Sequence, residues 1–503
     1  MDLIDGLALG WAGALAWPVL AAALAGCTVG TLVGVLPGLS VAATVALMLP
    51  LASPLGAVPA LVMLAAVYFG AQYGGSTAAI LASEPGEASA AATALDGHHL
   101  ARQGRAGPAL AIAALASFFA GCAGALVIAA IAPPITALGF RFGPSEYFSL
   151  MVLGLVGAVV LAPGSIVKAV GMIVVGLLLA QYDAHVPSAA RPQAAALREG
   201  LGVPAIAIGM FALGEVVARL GRAAPPRPAA VPVSGRLWPT GADLREAAPS
   251  VLRGTALGAL VGMLPGGGAL LSSVVSYTVE RALVRRPSRP FGQGALQGVA
   301  GPEAANNAGA QASLVPMLAL GIPTNAVTAL LIGTLVMHGV APGPAVMGSH
   351  PGLFWTVIVS MWVGNALLLV LNLPLVALWA RLLAAPYRLV FPAVVALAAL
   401  SLTVAAAAPY GVYVGAAFGA LGYVLHKLHC EPVPLLLGFV LAPAMEAHLR
   451  HALSLADGQW SVFATRPVSA GLLIAAAVMV GLGVVPALRR RRGRTLPDGA
   501  SSF

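Results

Sequence analysis

Glu84, Glu87, Asp96, Glu215, Glu303 and Glu446 stand in or beside stretches of chain that are otherwise almost free of charge. An ionisable side chain in so apolar a setting is costly and marks an ion or substrate pathway by default. Glu87 and Glu303 are the coupling-ion candidates, because each flanks a Pro-centred interruption of an apolar run. Asp96, followed by Gly97 and a basic segment, reads as an interfacial helix end. Glu215 and Glu446 lie near the ends of their segments, where snorkelling or ion pairing is expected. Amides come next: Asn306 and Asn307 are adjacent, and Asn325 follows Pro323-Thr324. Amide N–H groups can bind a carboxylate, and amide oxygens can ligate a hard cation such as Na+, which makes Asn307 a candidate for both. The alternative is hydrogen bonding between helices. Ser76 and Thr77, within Tyr73-Gly74-Gly75-Ser76-Thr77, could contact a ligand or bond back to their own helix.

These residues surround breaks in apolar runs. Gly26-Cys27-Thr28-Val29-Gly30-Thr31-Leu32-Val33-Gly34-Val35-Leu36-Pro37-Gly38 returns as Gly254-Thr255-Ala256-Leu257-Gly258-Ala259-Leu260-Val261-Gly262-Met263-Leu264-Pro265-Gly266, with Gly, Leu, Val and Pro in the same register. Downstream, each copy has a second Pro-centred element, Ser83-Glu84-Pro85-Gly86-Glu87 and Gly321-Ile322-Pro323-Thr324-Asn325. A Pro inside a span frees a carbonyl and removes a donor, and a following Gly lets the chain turn and a ligand approach. The half-helix that starts there presents N–H groups and a positive dipole end suited to a carboxylate. The expected substrate contacts are therefore Pro37, Gly38, Gly75, Ser76, Thr77, Pro85, Gly86, Pro265, Gly266, Gly267, Asn306, Asn307, Pro323, Thr324 and Asn325. Duplicated breaks at membrane depth are the sequence mark of a secondary transporter's site.

The elements that carry the breaks must lie in a bilayer. Of 503 residues, 59% are hydrophobic and 9% charged, and the mean hydropathy is +0.93. A soluble domain is about 25% charged. Apolar runs such as 150–180 and 468–488 far exceed the roughly 10-residue strands of a membrane barrel. The expectation is an all-α polytopic membrane protein with roughly a dozen transmembrane helices, some broken or re-entrant. The acidic start, Asp2 and Asp5, argues against a cleavable signal, so the first apolar segment is expected to stay as a span. The net charge of +9 sits largely in short loops and near the C-terminus, which fits topology rather than nucleic acid.

Loop charges set the topology. The loop at 51–57 has no Lys or Arg, whereas 281–289 carries Arg281, Arg285, Arg286 and Arg289. Conversely 98–105 holds Arg102 and Arg105, and its counterpart 338–352 has neither Lys nor Arg. Equivalent loops with opposite bias imply inverted-topology repeats. The division expected is repeat one over 1–220, a cytoplasmic linker over 221–250, repeat two over 251–467, a final helix over 468–488 and a basic cytoplasmic tail over 489–503. The N-terminus then falls in the periplasm.

Enzyme chemistry finds no support. No Gly-rich loop ends in Gly-Lys-Ser/Thr, and there is no His-Glu-x-x-His. Cys27, Cys122 and Cys430 lack metal-ligand spacing and read as packing residues. No cofactor is implied beyond Na+ or H+ as coupling ion. A channel or facilitator without ion coupling is the alternative reading.

The motifs together resemble the large membrane subunit of the tripartite tricarboxylate transporter family, the TctA type. The resemblance rests on Val33-Gly34-Val35-Leu36-Pro37-Gly38-Leu39, Tyr73-Gly74-Gly75-Ser76-Thr77, Pro85-Gly86-Glu87, Ala94-Leu95-Asp96-Gly97, Gly262-Met263-Leu264-Pro265-Gly266-Gly267-Gly268, Pro302-Glu303-Ala304-Ala305-Asn306-Asn307-Ala308, Leu320-Gly321-Ile322-Pro323 and Gly458-Gln459-Trp460-Ser461. It implies a permease of the bacterial inner membrane that takes a small organic acid from a periplasmic solute-binding protein. It also implies a small membrane subunit as partner and a Na+ or H+ gradient as driving force. Departures at Ser40, Ser83-Glu84, Gln311-Ala312 and Thr324-Asn325 cluster beside the breaks. They widen the implied substrate from citrate to smaller carboxylates and other organic anions.

Overall fold

The computed structural model describes residues 3–36, 38–161, 164–184, 201–220, 230–233, 235–383, 387–405 and 410–493. Pro37, the stretch around Pro225 and the tail beyond 493 lie outside them. Among the described residues every regular element is helical. Six helices among the described residues are long and apolar enough to cross a membrane, and shorter apolar helices of 10–17 residues accompany them. The chain is an all-helical polytopic membrane protein. The apolar run at 150–180 is two helices, Pro144–Leu161 and Ile166–Ala184.

The helices that build the site are labelled here in chain order. In the first half they are α1 (Trp17–Val35), α2 (Val41–Ala52), α3 (Ala57–Ala82), α4 (Ala91–Leu100) and α5 (Ala106–Gly139), followed by α6 (Val203–Leu220). In the second half they are α7 (Gly241–Gly262), α8 (Gly268–Leu283), α9 (Gln297–Ala312), α10 (Leu314–Leu320), α11 (Ala326–Met337) and α12 (Pro351–Asn372). The order helix, break, helix, helix, break, helix occurs twice, with the short α10 added before the last break in the second half. Helix α7 starts earlier than the charge pattern suggested. Thr240 and Asp243 form a capping box, so the stretch read as linker is already helical from Gly241.

The repeated glycines have one job in both halves. Gly26, Gly30 and Gly34 of α1 face the carbonyls of Met63, Val67 and Ala71 on α3, and a Cβ at any of them would collide with that backbone. Gly254, Gly258 and Gly262 of α7 face the carbonyls of Gly301, Ala305 and Gly309 on α9 in the same way. Residue numbers rise together along each pair, so each pair is parallel. Glycine at every fourth position lets two backbones touch, which is how helices associate where the surrounding lipid is as apolar as their side chains. Helices α2 and α8 pack beside α3 and α9 respectively. The halves then meet through α9, which packs against α3, α4 and α5 of the first half.

Candidate functional site

In the first half, α1 ends at Leu36, whose N–H donates to the Leu32 carbonyl, and the chain turns through Gly38 at φ +120°. Ser40 caps α2: its Oγ accepts the Ala43 N–H at 3.2 Å. The Ser40 N–H donates to Glu215 Oε2 at 3.1 Å, and Glu215 Oε1 accepts from Arg219 at 2.9 Å. The second break lies against the first. Gly86 sits so close to the Gly34 carbonyl that no Cβ would fit, and Gly75 faces Glu87. Glu87 is half-buried and Pro85 is exposed.

In the second half the two breaks are joined directly. Gly266, at φ +76°, donates its N–H to the Thr324 carbonyl at 2.8 Å. Gly268 faces the Asn325 amide, and Pro265 packs on Gly157. Asn325 caps α11: its Oδ1 accepts the Thr328 N–H at 3.0 Å, while the Thr328 hydroxyl accepts the N–H groups of Thr324 and Asn325. Thr324 and Pro323 are buried.

The breaks therefore differ from the expectation of bare half-helix tips. Orphan N–H groups at a helix start must find acceptors, and at α2 and α11 the chain supplies its own. The starts of α8 and α4 carry no such cap: neither Gly267 nor Ala90 makes a side-chain capping bond.

The densest buried chemistry surrounds Glu303 on α9. Its carboxylate accepts hydrogen bonds from Ser76 of α3 at 2.6 Å, Thr93 of α4 at 2.5 Å and Ser117 of α5 at 3.2 Å. Asn307, one turn on, donates to Ser117 Oγ at 2.7 Å and to the Glu303 carbonyl at 3.2 Å. Glu303 is fully buried. Among the described residues it has no basic partner: its charge is met by hydroxyls alone. A small cavity of about 20 Å³, room for roughly one water molecule, opens beside it, lined by Tyr73, Ser76, Thr77, Ser117, Asn372 and Leu373 among others. The Tyr73 hydroxyl and the Asn372 amide oxygen are buried without a hydrogen bond. Such atoms cost about 1–3 kcal/mol each unless something satisfies them.

The sequence candidates thus fall into separate groups. Ser76, Thr77 and Glu303 line the cavity, and Asn307 bonds to Ser117 in its wall. Gly38, Gly75, Gly86 and Glu87 gather at the first pair of breaks, and Pro265, Gly266, Gly267, Pro323, Thr324 and Asn325 at the second pair. Pro37 lies outside the described residues. Asn306 is fully buried on α9, and its side chain makes no hydrogen bond among the described residues. Ser76 and Thr77 do bond back to their own helix, at Gln72 and Tyr73, but Ser76 also reaches Glu303.

Asp96 corrects the sequence reading. It is fully buried rather than interfacial. One oxygen accepts the N–H groups of Gly292, Gly294 and Ala295 at 2.8 Å each, and the other accepts the Tyr277 hydroxyl at 2.9 Å. It holds the turn that opens α9, and so helps to place Glu303. Glu446 pairs with Arg450, as a span-end carboxylate should. His98 and His99 lie within α4.

Residues 20–437 match the family described as Tripartite tricarboxylate transporter TctA family. The chain is 46% identical over 444 residues to an Agrobacterium vitis protein named "Uncharacterized 52.8 kDa protein in TAR-I ttuC' 3'region", covering 88% of each. It is 50% identical over 241 residues to a second, "Uncharacterized protein in TAR-II ttuC' 3'region", covering 48% of this chain and 99% of that one. No solved structure matches it.

Proposed function

Since this chain belongs to the tripartite tricarboxylate transporter TctA family, we propose that it is the large permease subunit of a cation-coupled importer of tricarboxylates or related organic acids. In this reading a periplasmic solute-binding protein delivers the acid, a small membrane subunit accompanies the permease, and Na+ or H+ drives uptake across the bacterial inner membrane. The two halves are inverted repeats that alternate access to a central site, with the C-terminus cytoplasmic and the N-terminus periplasmic.

The observation that carries the reading is Glu303. To hold a charge on a fully buried carboxyl met only by Ser76, Thr93 and Ser117 is costly at membrane depth. A cation or proton arriving at this side chain neutralises it, and would do so before an anionic substrate can approach. The substrate's own carboxylates then find the N-terminus of α8, where the N-cap Gly267 supplies no side-chain acceptor. Thr324, Asn325 and Asn307 supply the neighbouring polar contacts, and Gly266 lets the backbone come close.

The test is uptake of radiolabelled citrate and other di- and tricarboxylates into membrane vesicles, with and without a Na+ or H+ gradient and with and without the cognate binding protein. Accumulation above the external concentration that needs both a gradient and the binding protein is expected. Uptake that merely equilibrates, indifferent to both, would establish a channel or facilitator instead.

A further inference from the structure

One end of the bundle gathers arginines from three parts of the chain. Arg102 lies between α4 and α5, Arg236 precedes α7 and Arg245 is in it, and Arg281, Arg285 and Arg286 stand at the end of α8 and just beyond. Contacts hold these segments together. Arg105 pairs with Asp243 at 2.6 Å, Gln103 Nε2 donates to the Gln293 carbonyl at 3.1 Å, and the Arg236 carbonyl lies 2.4 Å from where a Cβ on Gly107 would stand. The Ser288 N–H donates to Glu246 Oε1 at 3.2 Å, which ties the loop after α8 to α7.

Arg102, Arg236, Arg245, Arg281, Arg285 and Arg286 are exposed, and none makes an ion pair among the described residues. The carboxylates of the same segments are already engaged. Asp243 is held by Arg105, Glu280 by Arg253 and Ser250, and Glu246 by the Ser288 N–H and the Gln297 amide. The surface therefore carries an excess of positive charge. Among the arginines stand Trp238, Leu244 and Leu283, exposed at 56%, 44% and 58%. An acidic partner in water would meet the guanidinium groups and leave these apolar side chains wet. A phospholipid meets both: its phosphate fits the paired N–H groups of arginine, and its glycerol and upper acyl region suit indole and leucine. The excess charge selects a headgroup with a net negative charge over a zwitterionic one.

We propose that this end of the bundle is a docking surface for anionic phospholipid, with the arginines at the headgroup phosphates and Trp238, Leu244 and Leu283 at the level of the glycerol and upper chains. Because α7 and α8 carry most of it, the bound lipid braces the pair of helices that leads into the second Leu-Pro-Gly break. The inference stands apart from the permease reading and from any choice of substrate or ion.

The test needs no transport. The thermal midpoint of the full-length protein, purified in detergent, is followed at low salt while phosphatidylglycerol or phosphatidylcholine of the same acyl chains is titrated in. Wild type is compared with the double variant Arg285→Gln/Arg286→Gln and with Arg141→Gln. Arg141 is also exposed and without an ion pair among the described residues, but it lies beyond the far end of α5. A rise selective for phosphatidylglycerol is expected in wild type and in Arg141→Gln, with the half-maximal lipid concentration raised about tenfold in the double variant. Glycerol phosphate, which offers the phosphate without acyl chains, should give no rise. No lipid-selective rise in the wild type would overturn the proposal and leave the surface to an acidic segment of a protein partner. A rise that Arg141→Gln weakens as much as the double variant would also overturn it, because the lipid would then be drawn by net charge rather than by this surface. An equal rise with glycerol phosphate would assign the arginines to a free anion instead.

Discussion

The Ser76 hydroxyl donates to the Glu303 carboxylate at 2.6 Å although 227 positions separate the two residues in the chain. The bond joins α3 of the first half to α9 of the second. Thr93 and Ser117 add two more bonds of the same kind, so three helices of one half converge on one side chain of the other.

Glu303→Gln removes the charge while keeping the shape. Gradient-driven accumulation should fall by roughly ten- to a hundredfold, the equivalent of about 1.5–3 kcal/mol for hydrogen bonds to a charged group. Exchange of labelled for unlabelled substrate, which needs no net cation movement, should survive. Vesicle uptake and counterflow on the same preparation decide it. Equal loss of both would assign Glu303 to folding or substrate contact instead.

Asn307→Ala leaves Ser117 without its amide donor. Initial uptake should drop while an immunoblot shows normal protein in the membrane. Unchanged uptake at normal expression would remove Asn307 from the site.

Gly258→Ala places a methyl group against the Ala305 backbone, which no rotamer can relieve. Overpacking of this kind costs about 1–3 kcal/mol. The thermal midpoint should fall clearly. Gly241→Ala, where a Cβ meets nothing within 4 Å, should leave it nearly unmoved.

Asp96→Ala strands three backbone N–H groups at the start of α9. Tyr277→Phe removes only one bond from the same carboxylate. The alanine variant should therefore destabilise by several kcal/mol and the phenylalanine variant by about 1 kcal/mol. Similar melting curves for the two would contradict the role given to Asp96.

At Asp243 burial opposes ionisation, but the Thr240 N–H and hydroxyl and the Arg105 guanidinium, 2.6 Å away, outweigh it and hold the carboxyl below its ordinary value. A depressed carboxyl contributes stability that is complete above its ordinary value and is lost as pH falls through the folded one. The gap in melting temperature between wild type and Asp243→Asn should be full at neutral pH. It should close as the pH drops below about 4. A gap that widens on acidification would refute the assignment.

Much of this architecture was written into the chain in legible form. Glu303, Asn306 and Asn307 stand out because polar residues in an apolar run demand partners, and the Leu-Pro-Gly breaks announce themselves by repetition. Thr93 and Ser117 gave no such signal. A lone hydroxyl in an apolar helix is ordinarily satisfied by its own backbone, and only the crossing of α4 and α5 over α9 turns these two toward a carboxylate. Asp96 misled for a related reason. Beside Gly97 and two arginines it looks like a surface residue, and the turn that it holds lies about 200 residues downstream. The half-helix tips were visible, but not the fact that Glu215, Ser40 and Asn325 already fill two of them.

The glycine seams carry a mechanical consequence. Backbones locked together at Gly26, Gly30 and Gly34, and again at Gly254, Gly258 and Gly262, cannot slide without lifting apart, so α1 with α3 and α7 with α9 each move as one stiff board. The contact between the boards is of another kind: hydroxyls on a carboxylate, which can trade partners without any repacking. Glu303 therefore sits where the two boards meet, held across that contact by hydroxyls rather than by a glycine seam.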